Sequence, residues 1–247
     1  MTTLLAATMD IADDYWAADL GCSRADLRSP CTLVIPHAEA FADYRGLFML
    51  LVGGAPVISL PRHLYPALRA VAARWSAADV LSSAFLRDVL GDAVDQIIGP
   101  ACIGYADGAT FRAVVPSAAC LLGAGDAEHV AELQAACDAV EWEHGGSEIG
   151  QNPAAGVYIS ERLVAMAGYE VWGGGIAHIS VITHPRHRGR GYAGAVVSKL
   201  TETALAQGLV PQYRTLESNA PSVHVAHRLG FARYGVSMAV RLRQPAT

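Results

Sequence analysis

The stretch Val181-Ile-Thr-His-Pro-Arg-His-Arg-Gly-Arg-Gly-Tyr-Ala-Gly194 gathers three arginines, two histidines and three glycines. An apolar run ends at Thr183, and Pro185 cannot continue a hydrogen-bonded ladder. Ala193, Val196, Val197, Leu200 and Ala204 then recur at helical spacing, so a helix starts near Tyr192. A strand feeding a glycine turn that opens a helix leaves several backbone N–H groups without intrahelical partners. The helix dipole adds partial positive charge there. Gly191, Ala193 and Gly194 allow a ligand to approach the backbone. This combination suits a phosphate or pyrophosphate. The plain alternative is a tight turn with solvated arginines, against which the crowding of Arg186, Arg188 and Arg190 counts.

Three loop types compete for this stretch. A Walker loop needs Gly-Lys-Ser/Thr, which is missing. Gly189-x-Gly191-x-x-Gly194 matches the dinucleotide fingerprint, but that fingerprint belongs in a first βαβ unit with a doubly wound sheet to follow. Only 53 residues follow Gly194, and Glu217, 23 positions on, ends a short strand. The third type is Arg-x-x-Gly-x-Ala, from Arg188, Gly191 and Ala193. With it comes a second block, Asn219-Ala-Pro-Ser222-Val-His-Val-Ala-His-Arg-Leu-Gly230-Phe231. These two blocks, their separation, His184-Pro185 before the loop and the β-β-β-loop-α-β-α-β order resemble the GNAT superfamily of acyl-CoA-dependent N-acyltransferases. The resemblance covers residues 116–247.

The resemblance implies acetyl-CoA as cosubstrate, with no metal. It implies that Arg188, Gly189, Arg190, Gly191, Tyr192, Ala193 and Gly194 cradle the coenzyme pyrophosphate. Ile179, Val181, Ile182 and Thr183 would meet the pantetheine arm along a splayed sheet edge. Asn219 and Ser222 would lie near that arm. For Asn219 an ordinary helix N-cap is an equal reading. The implied activity is transfer of an acetyl group from the thioester to a primary amine of a small molecule or protein, by direct attack.

That chemistry needs a neutral amine, a donor for the tetrahedral oxyanion and a hydrogen bond for the leaving thiolate. Deprotonating a lysine-like amine of pKa about 10.4 at pH 7 costs about 4.6 kcal/mol, and an α-amino group of pKa about 8 only about 1.4. A backbone N–H near Val181 would serve the oxyanion. Many relatives place a Tyr seven residues after the Asn; here Ala226 stands there. Ser222 is assigned as thiolate donor instead, against a reading as a first-turn helix serine, with Tyr192 and Tyr234 in reserve. Where some relatives carry a strand Glu, this chain has Ala177. Its neighbour His178 has a suitable intrinsic pKa, although strand alternation could turn it to the wrong face. Glu143 and His144 in a polar loop are further bases, as are Glu170, Glu217 or a water relay. His224 and His227 read as a solvated helix face, and His184 and His187 as flanking the phosphate. The missing Tyr and Glu keep a non-catalytic coenzyme-binding module open as an alternative, with a dinucleotide enzyme behind it.

The elements that must position these residues read most clearly after residue 116. Ala119–Leu122 is a short strand, Asp126 caps a helix to about Val140, and Glu141–Pro153 is a polar loop. Gly156–Ser160, Leu163–Val171 and Ile176–Thr183 are strands joined by turns at Ser160-Glu161-Arg162 and Gly173-Gly174-Gly175. Tyr192–Gln207 is a helix, Val210–Leu216 a strand, Ala220–Leu229 a helix, and Phe231–Leu242 a strand pair. Earlier, Cys31–Pro36, Leu47–Val52 and Val57–Leu60 are strands, the last two paired across Gly53-Gly54. Pro61 opens a helix to about Trp75, and Ser76 caps another to Leu90. Asp95–Ile98 and Phe111–Val115 are weaker strands. The fold class is mixed α/β: a GNAT-type central mixed, mostly antiparallel sheet flanked by helices. Residues 1–115 form an additional N-terminal α/β lobe and 116–247 the acyl-CoA-binding catalytic domain. The lobe could cover the acceptor cleft, form a degenerate second acyltransferase-like lobe, or make a homodimer.

Composition narrows the class. The 247 residues, 52% hydrophobic and 17% charged, provide a sizeable core. Residues 1–150 carry 19 acidic and 8 basic side chains, and residues 151–247 carry 4 and 10. The split suggests an anion partner for the C-terminal part and a cationic acceptor drawn to the acidic part. The 17 arginines against one lysine, Lys199, read as genomic composition. A pI near 6.0 argues against nucleic acid. The most apolar run, Gly46–Leu60, is broken by Gly53, Gly54 and Pro56 and falls short of the roughly 20 residues of a membrane helix. The first residues turn acidic without a basic n-region. Five cysteines without CxxC spacing fit a reduced cytoplasmic protein without a metal cluster.

Overall fold

A computed structural model describes residues 3–115, 117–150 and 152–243. In chain order the helices and strands are α1 (Ala6–Leu20), α2 (Arg24–Leu27), β1 (Leu33–Pro36), β2 (Gly46–Leu51), β3 (Val57–Leu60), α3 (Tyr65–Ala72), α4 (Ala77–Val80), α5 (Ser83–Leu90) and β4 (Val94–Tyr105). There follow β5 (Cys120–Leu122), α6 (Ala127–Ala136), α7 (Ala139–Gly145), β6 (Ala154–Ile159), β7 (Arg162–Trp172), β8 (Ile176–Thr183), α8 (Tyr192–Ala206), β9 (Val210–Leu216), α9 (Ala220–Arg228) and β10 (Ala232–Leu242).

The chain forms two compact units that interleave along the sequence. Among the described residues, one comprises those of 3–8, 104–214 and 221–232, the other those of 9–103, 215–220 and 233–243. The expected serial boundary at 115/116 touches Pro116, which lies outside the described residues. The chain passes between the units at 8/9, 103/104, 214/215, 220/221 and 232/233. The last strand joins the unit of residues 9–103 because Val236–Arg241 pair antiparallel with Leu51–Gly46. The Phe231–Leu242 segment is thus one strand of 11 residues, not a strand pair.

The unit built mainly from residues 9–103 holds strands in the order β1-β3-β2-β10-β4. β1 and β3 run parallel, whereas β3/β2 and β2/β10 are antiparallel. Leu47, Met49, Ile58, Leu60, Trp75, Leu86, Met238 and Val240 form its core. The helix expected from Pro61 begins only at Tyr65, after a turn in which the Leu64 N–H donates to Pro61 O. Ser76 caps α4 through a capping box with Asp79. Ser82 caps α5 and divides the single helix expected over Ala77–Leu90. Helix α1 was not expected. It buries Ala12, Trp16 and Leu20, one turn apart, with Trp16 stacked on Phe48 at 5.9 Å.

The unit containing residues 104–214 holds strands in the order β9-β8-β7-β6-β5. β8/β9 are parallel and the other pairs antiparallel. Ser160 and Glu161 adopt positive φ in the β6–β7 hairpin turn, as do Gly173 and Gly174 between β7 and β8. One core cluster joins Val164, Ala165, Ala167, Ala177, Ile179, Tyr213, Leu229 and Phe231 to the α8 residues Val196, Val197 and Leu200. A second joins Leu163, Met166 and Ile182 to Val130 and Leu133 of α6. Helices therefore cover both faces of this sheet. The segment Phe111–Val115 is not a strand: the Arg112 N–H donates to Leu229 O and the Val114 N–H to Ser198 Oγ. Asp138 accepts from Val140 and Glu141 N–H groups and starts α7, which runs on into the segment expected to be a loop. Asp126 accepts from the Gly123 N–H and the Tyr158 hydroxyl, and gives α6 no side-chain cap.

Candidate functional site

Strand β8 organises the site because its two faces meet different layers. Ala177 and Ile179 are buried beneath α8, with Val181 packed against the same cluster. His178, Ser180 and Ile182 alternate to the other face. Ile182 enters the cluster under α6, which leaves only its backbone for the pantetheine contact expected of it. The ladder between β8 and β9 runs from Ile176/Val210 to Ile179/Tyr213. β8 continues to Thr183 and β9 to Leu216. The two strands therefore part company beyond Ile179, which opens the β9-side edge of β8 at Ser180–Thr183.

The glycine loop lies at the end of this opening. Pro185–His187 form a 3-10 turn in which His184 Nδ1 accepts the Arg186 N–H at 3.1 Å. Gly189 and Gly191 have φ of 76° and 83°, a region costly for other residues. Gly191 is the N-cap of the 15-residue α8, and no side chain caps that helix. A Cβ built at Gly189, Gly191 or Gly194 meets no atom within 4 Å. Uncapped amides, a helix dipole and open space coincide, so the residues present fit a pyrophosphate. Arg190 is exposed, and Tyr192 packs partly against the α8 core. Arg188 turns away from the helix start: its Nη2 lies 2.7 Å from Glu141 Oε2 and its Nε donates to Thr183 O at 3.2 Å. The loop is thereby tied to α7.

The other face of β8 is polar. The ring of His178 stacks on Trp172 at 3.7 Å, and its Nδ1 lies 2.7 Å from Gln212 Oε1. Gln212 Nε2 donates to the Tyr105 hydroxyl at 2.6 Å. In this arrangement Nδ1 carries the His178 proton and Nε2 keeps its lone pair. Burial pushes the His178 pKa down to about 4, with Arg214 pushing the same way and Gln212 and Glu170 opposing. Ser180 Oγ contacts Ser147 Oγ at 2.6 Å and donates to Gly146 O at 3.2 Å. A Cβ at Gly145 would stand 2.6 Å from Val181 O, so the end of α7 rests against the β8 backbone.

Ser222, on α9, meets a partner that sequence reasoning missed: its Oγ lies 2.8 Å from the hydroxyl of buried Tyr213. Burial holds the Tyr213 phenol above its ordinary pKa, hence protonated. The alternation of Gln212 and Tyr213 on β9 signals two faces, but the partners 107 and 9 residues away carry no local signature.

Glu143 and His144 are exposed on α7, and the Glu143 carboxylate makes no hydrogen bond or ion pair among the described residues. Glu170 faces His178 in register and accepts from Trp172 Nε1 at 3.1 Å. Glu217 is paired with Arg233 at 2.7 Å. The reserve tyrosine, Tyr234, donates to Asp13 at 2.7 Å beneath Arg28, within the unit of residues 9–103. Asn219 belongs to that same unit, with its N–H donating to Leu216 O. His224 and His227 are exposed, as expected. No group of three or more His, Cys, Asp or Glu able to hold a metal occurs among the described residues. No helix there is long and apolar enough to cross a membrane.

Residues 148–235 match the family model described as GNAT acetyltransferase. A GNAT-family acetyltransferase from Colwellia psychrerythraea is similar over 98% of this chain and 99% of its own, at 13% identity and a TM-score of 0.53. A protein from Novosphingobium aromaticivorans, assigned to the same family, is 27% identical over 62% of this chain and 67% of its own, at a TM-score of 0.48. A GCN5-related N-acetyltransferase-like protein from Streptococcus suis is 18% identical over 66% and 69%, at 0.48. No curated protein matches the chain. The loop and the parted strands lie within the matched residues. The match spans 88 of the 247 residues and likens that segment to GNAT acetyltransferases. The antiparallel β6-β7-β8 order is also unlike the doubly wound sheet that a dinucleotide fingerprint requires.

Proposed function

We propose that the protein transfers an acetyl group from acetyl-CoA to a primary amine by direct attack. The observation that carries this reading is the end of the β8/β9 ladder at Ile179/Tyr213, next to an uncapped helix start with room at its glycines. The amides of residues 188–194 receive the pyrophosphate, and the backbone of Ile179–Thr183 aligns the pantetheine arm. The coenzyme supplies an activated thioester. A backbone N–H near Val181 donates to the oxyanion.

The acceptor meets the His178 face. The depressed pKa limits what His178 does there. Moving a proton from an ammonium of pKa about 10.4 to an imidazole of pKa about 4 costs about 9 kcal/mol, roughly twice the cost of losing it to water at pH 7. The amine therefore arrives neutral, and His178 Nε2 orients it by accepting a hydrogen bond. Exposed Glu143 is the group on α7 through which a cationic acceptor is drawn in. On the α9 side, Tyr213 donates to Ser222 Oγ, and Ser222 donates to the departing thiolate. A thiol near pKa 8.5 leaves as an anion that this hydrogen bond stabilises. Five free cysteines support an intracellular setting, where acyl-CoA is found.

Thiol release from acetyl-CoA, followed across amino acids, polyamines, aminoglycosides and peptides, tests the reading. Amine-dependent release is expected. Coenzyme binding without release for any amine would overturn it in favour of a binding module. Stabilisation by NAD and not by coenzyme A would overturn the coenzyme assignment.

A further inference from the structure

The turn after β8 has a second cationic side, away from the glycines. A cavity of about 290 Å³ is lined by α6, the first residues of β7 and the turn Pro185–His187. Arg162, Arg186, His184 and His187 supply most of its polar groups. Neither guanidinium has an ion pair or hydrogen-bond partner among the described residues. The buried Nδ1 of His187 also has none. His184 Nδ1 is occupied by the Arg186 N–H, so in the neutral ring its Nε2 is a donor. Burial first, then repulsion from His187, Arg186 and Arg162, holds His184 below its ordinary pKa. Glu132 also lines the cavity; its Oε2 lies 3.8 Å from His129, and one carboxylate leaves two guanidiniums uncompensated.

Unpaired guanidiniums, a spare imidazole donor and a buried nitrogen without a partner call for the same thing, an anion rich in acceptor oxygens. The arginine fork matches a tetrahedral oxyanion, to which two N–H groups can donate in parallel. None of Gly189, Gly191 and Gly194 lines the cavity, so this site is not the glycine loop. We propose that this cavity is a second anion site, which takes a phosphomonoester. The phosphate comes either from the 3′-phosphate of the coenzyme or from a separate phosphorylated molecule. The site does not depend on the acetyl-transfer reading.

Titration calorimetry of the full chain with inorganic phosphate tests it, using wild type, Arg162→Gln, Arg186→Gln and the double variant, each checked for unchanged circular dichroism. The wild type is expected to bind phosphate, each single variant at least fivefold more weakly, and the double variant not measurably. Displacement of phosphate by coenzyme A but not by dephospho-coenzyme A supports the site with the coenzyme as source. Persistence of phosphate binding under saturating coenzyme A supports it with a separate source. Phosphate binding that responds to the arginines in a protein that binds neither coenzyme supports the site while sinking the coenzyme reading. Displacement by dephospho-coenzyme A as readily as by coenzyme A would place the phosphate in the glycine loop and overturn the proposal. Equal affinity in wild type and double variant, or no binding by wild type, would also overturn it.

Discussion

The two faces of β8 do different work with the same backbone. Beneath α8, Ala177 and Ile179 are fully packed, and the hydroxyl pair Tyr213–Ser222 is the prominent polar feature near them. Toward α6 and α7 the face carries His178, Ser180, Gln212 and the Trp172 ring, joined by hydrogen bonds and stacking. An apolar face fixes the strand and leaves recognition to backbone amides, which any sequence supplies if the glycines allow approach. A polar face puts recognition into side chains. Substitutions should therefore act by backbone geometry on the first side and by protonation and orientation on the second.

The largest effect should come from the backbone side. Gly191→Glu adds a Cβ at a φ of 83° and a negative charge at the helix start. Coenzyme A affinity is expected to fall at least 100-fold, that is about 3 kcal/mol or more. Gly191→Asn, which tolerates left-handed backbone without charge, should lose far less. Calorimetric affinities that left Gly191→Glu unchanged would break the assignment of the loop.

The polar side should show itself next, as pH-dependent stability. The folded His178 pKa, about 4, lies below the unfolded value of about 6.5. Above pH 6.5 both states are neutral and stability is full. As pH falls toward 4 the unfolded chain binds a proton that the native site refuses, so about 3 kcal/mol is lost by pH 4. Other groups titrate in that range, so the readout is the difference between wild type and His178→Gln in denaturant melts from pH 7 to 4. The variant should lose less across the window. Parallel curves would mean that His178 is more accessible to protons than its packing indicates.

How far each face could be read from sequence follows from the range of its contacts. The backbone side was legible: a strand end, Pro185, glycines and a helical apolar repeat are all local signals. The strands β6, β7 and β8 match their expected segments within a few residues because alternation and turn residues agree. The polar side was half legible. His178 was singled out by type, but Gln212, Tyr105 and Trp172 become its partners only through pairing of distant strands. Helix α1 was missed because small and acidic residues surround Trp16 and Leu20, so its apolar stripe is thin. The long helix expected from Asp126 ignored Asp138, whose side chain caps α7 and ends any continuation.

A middle-sized effect tests the one hydroxyl pair on the packed side. If Ser222 donates to the departing thiolate as proposed, Ser222→Ala removes that hydrogen bond, and kcat is expected to drop about tenfold with KM for the coenzyme unchanged. Tyr213→Phe keeps the ring packing and removes only the hydroxyl, so it should move kcat in the same direction by less. The double variant should be no slower than Ser222→Ala, because Tyr213 acts through Ser222. Additive losses would mean that Tyr213 reaches the reacting atoms itself.

The smallest effect concerns the contact that links the faces, Arg188 with Glu141. Both side chains are nearly half exposed, so the pair is worth no more than about 1 kcal/mol and is screened by salt. It nonetheless holds a loop arginine away from the helix start. Glu141→Gln frees that guanidinium for the pyrophosphate, and coenzyme A affinity is expected to rise by up to about threefold at low salt, with the gain vanishing at high salt. A fall in affinity would invert the interpretation: the ion pair would then be holding the loop in its binding shape, and the two faces of β8 would be coupled through α7 rather than competing for one arginine.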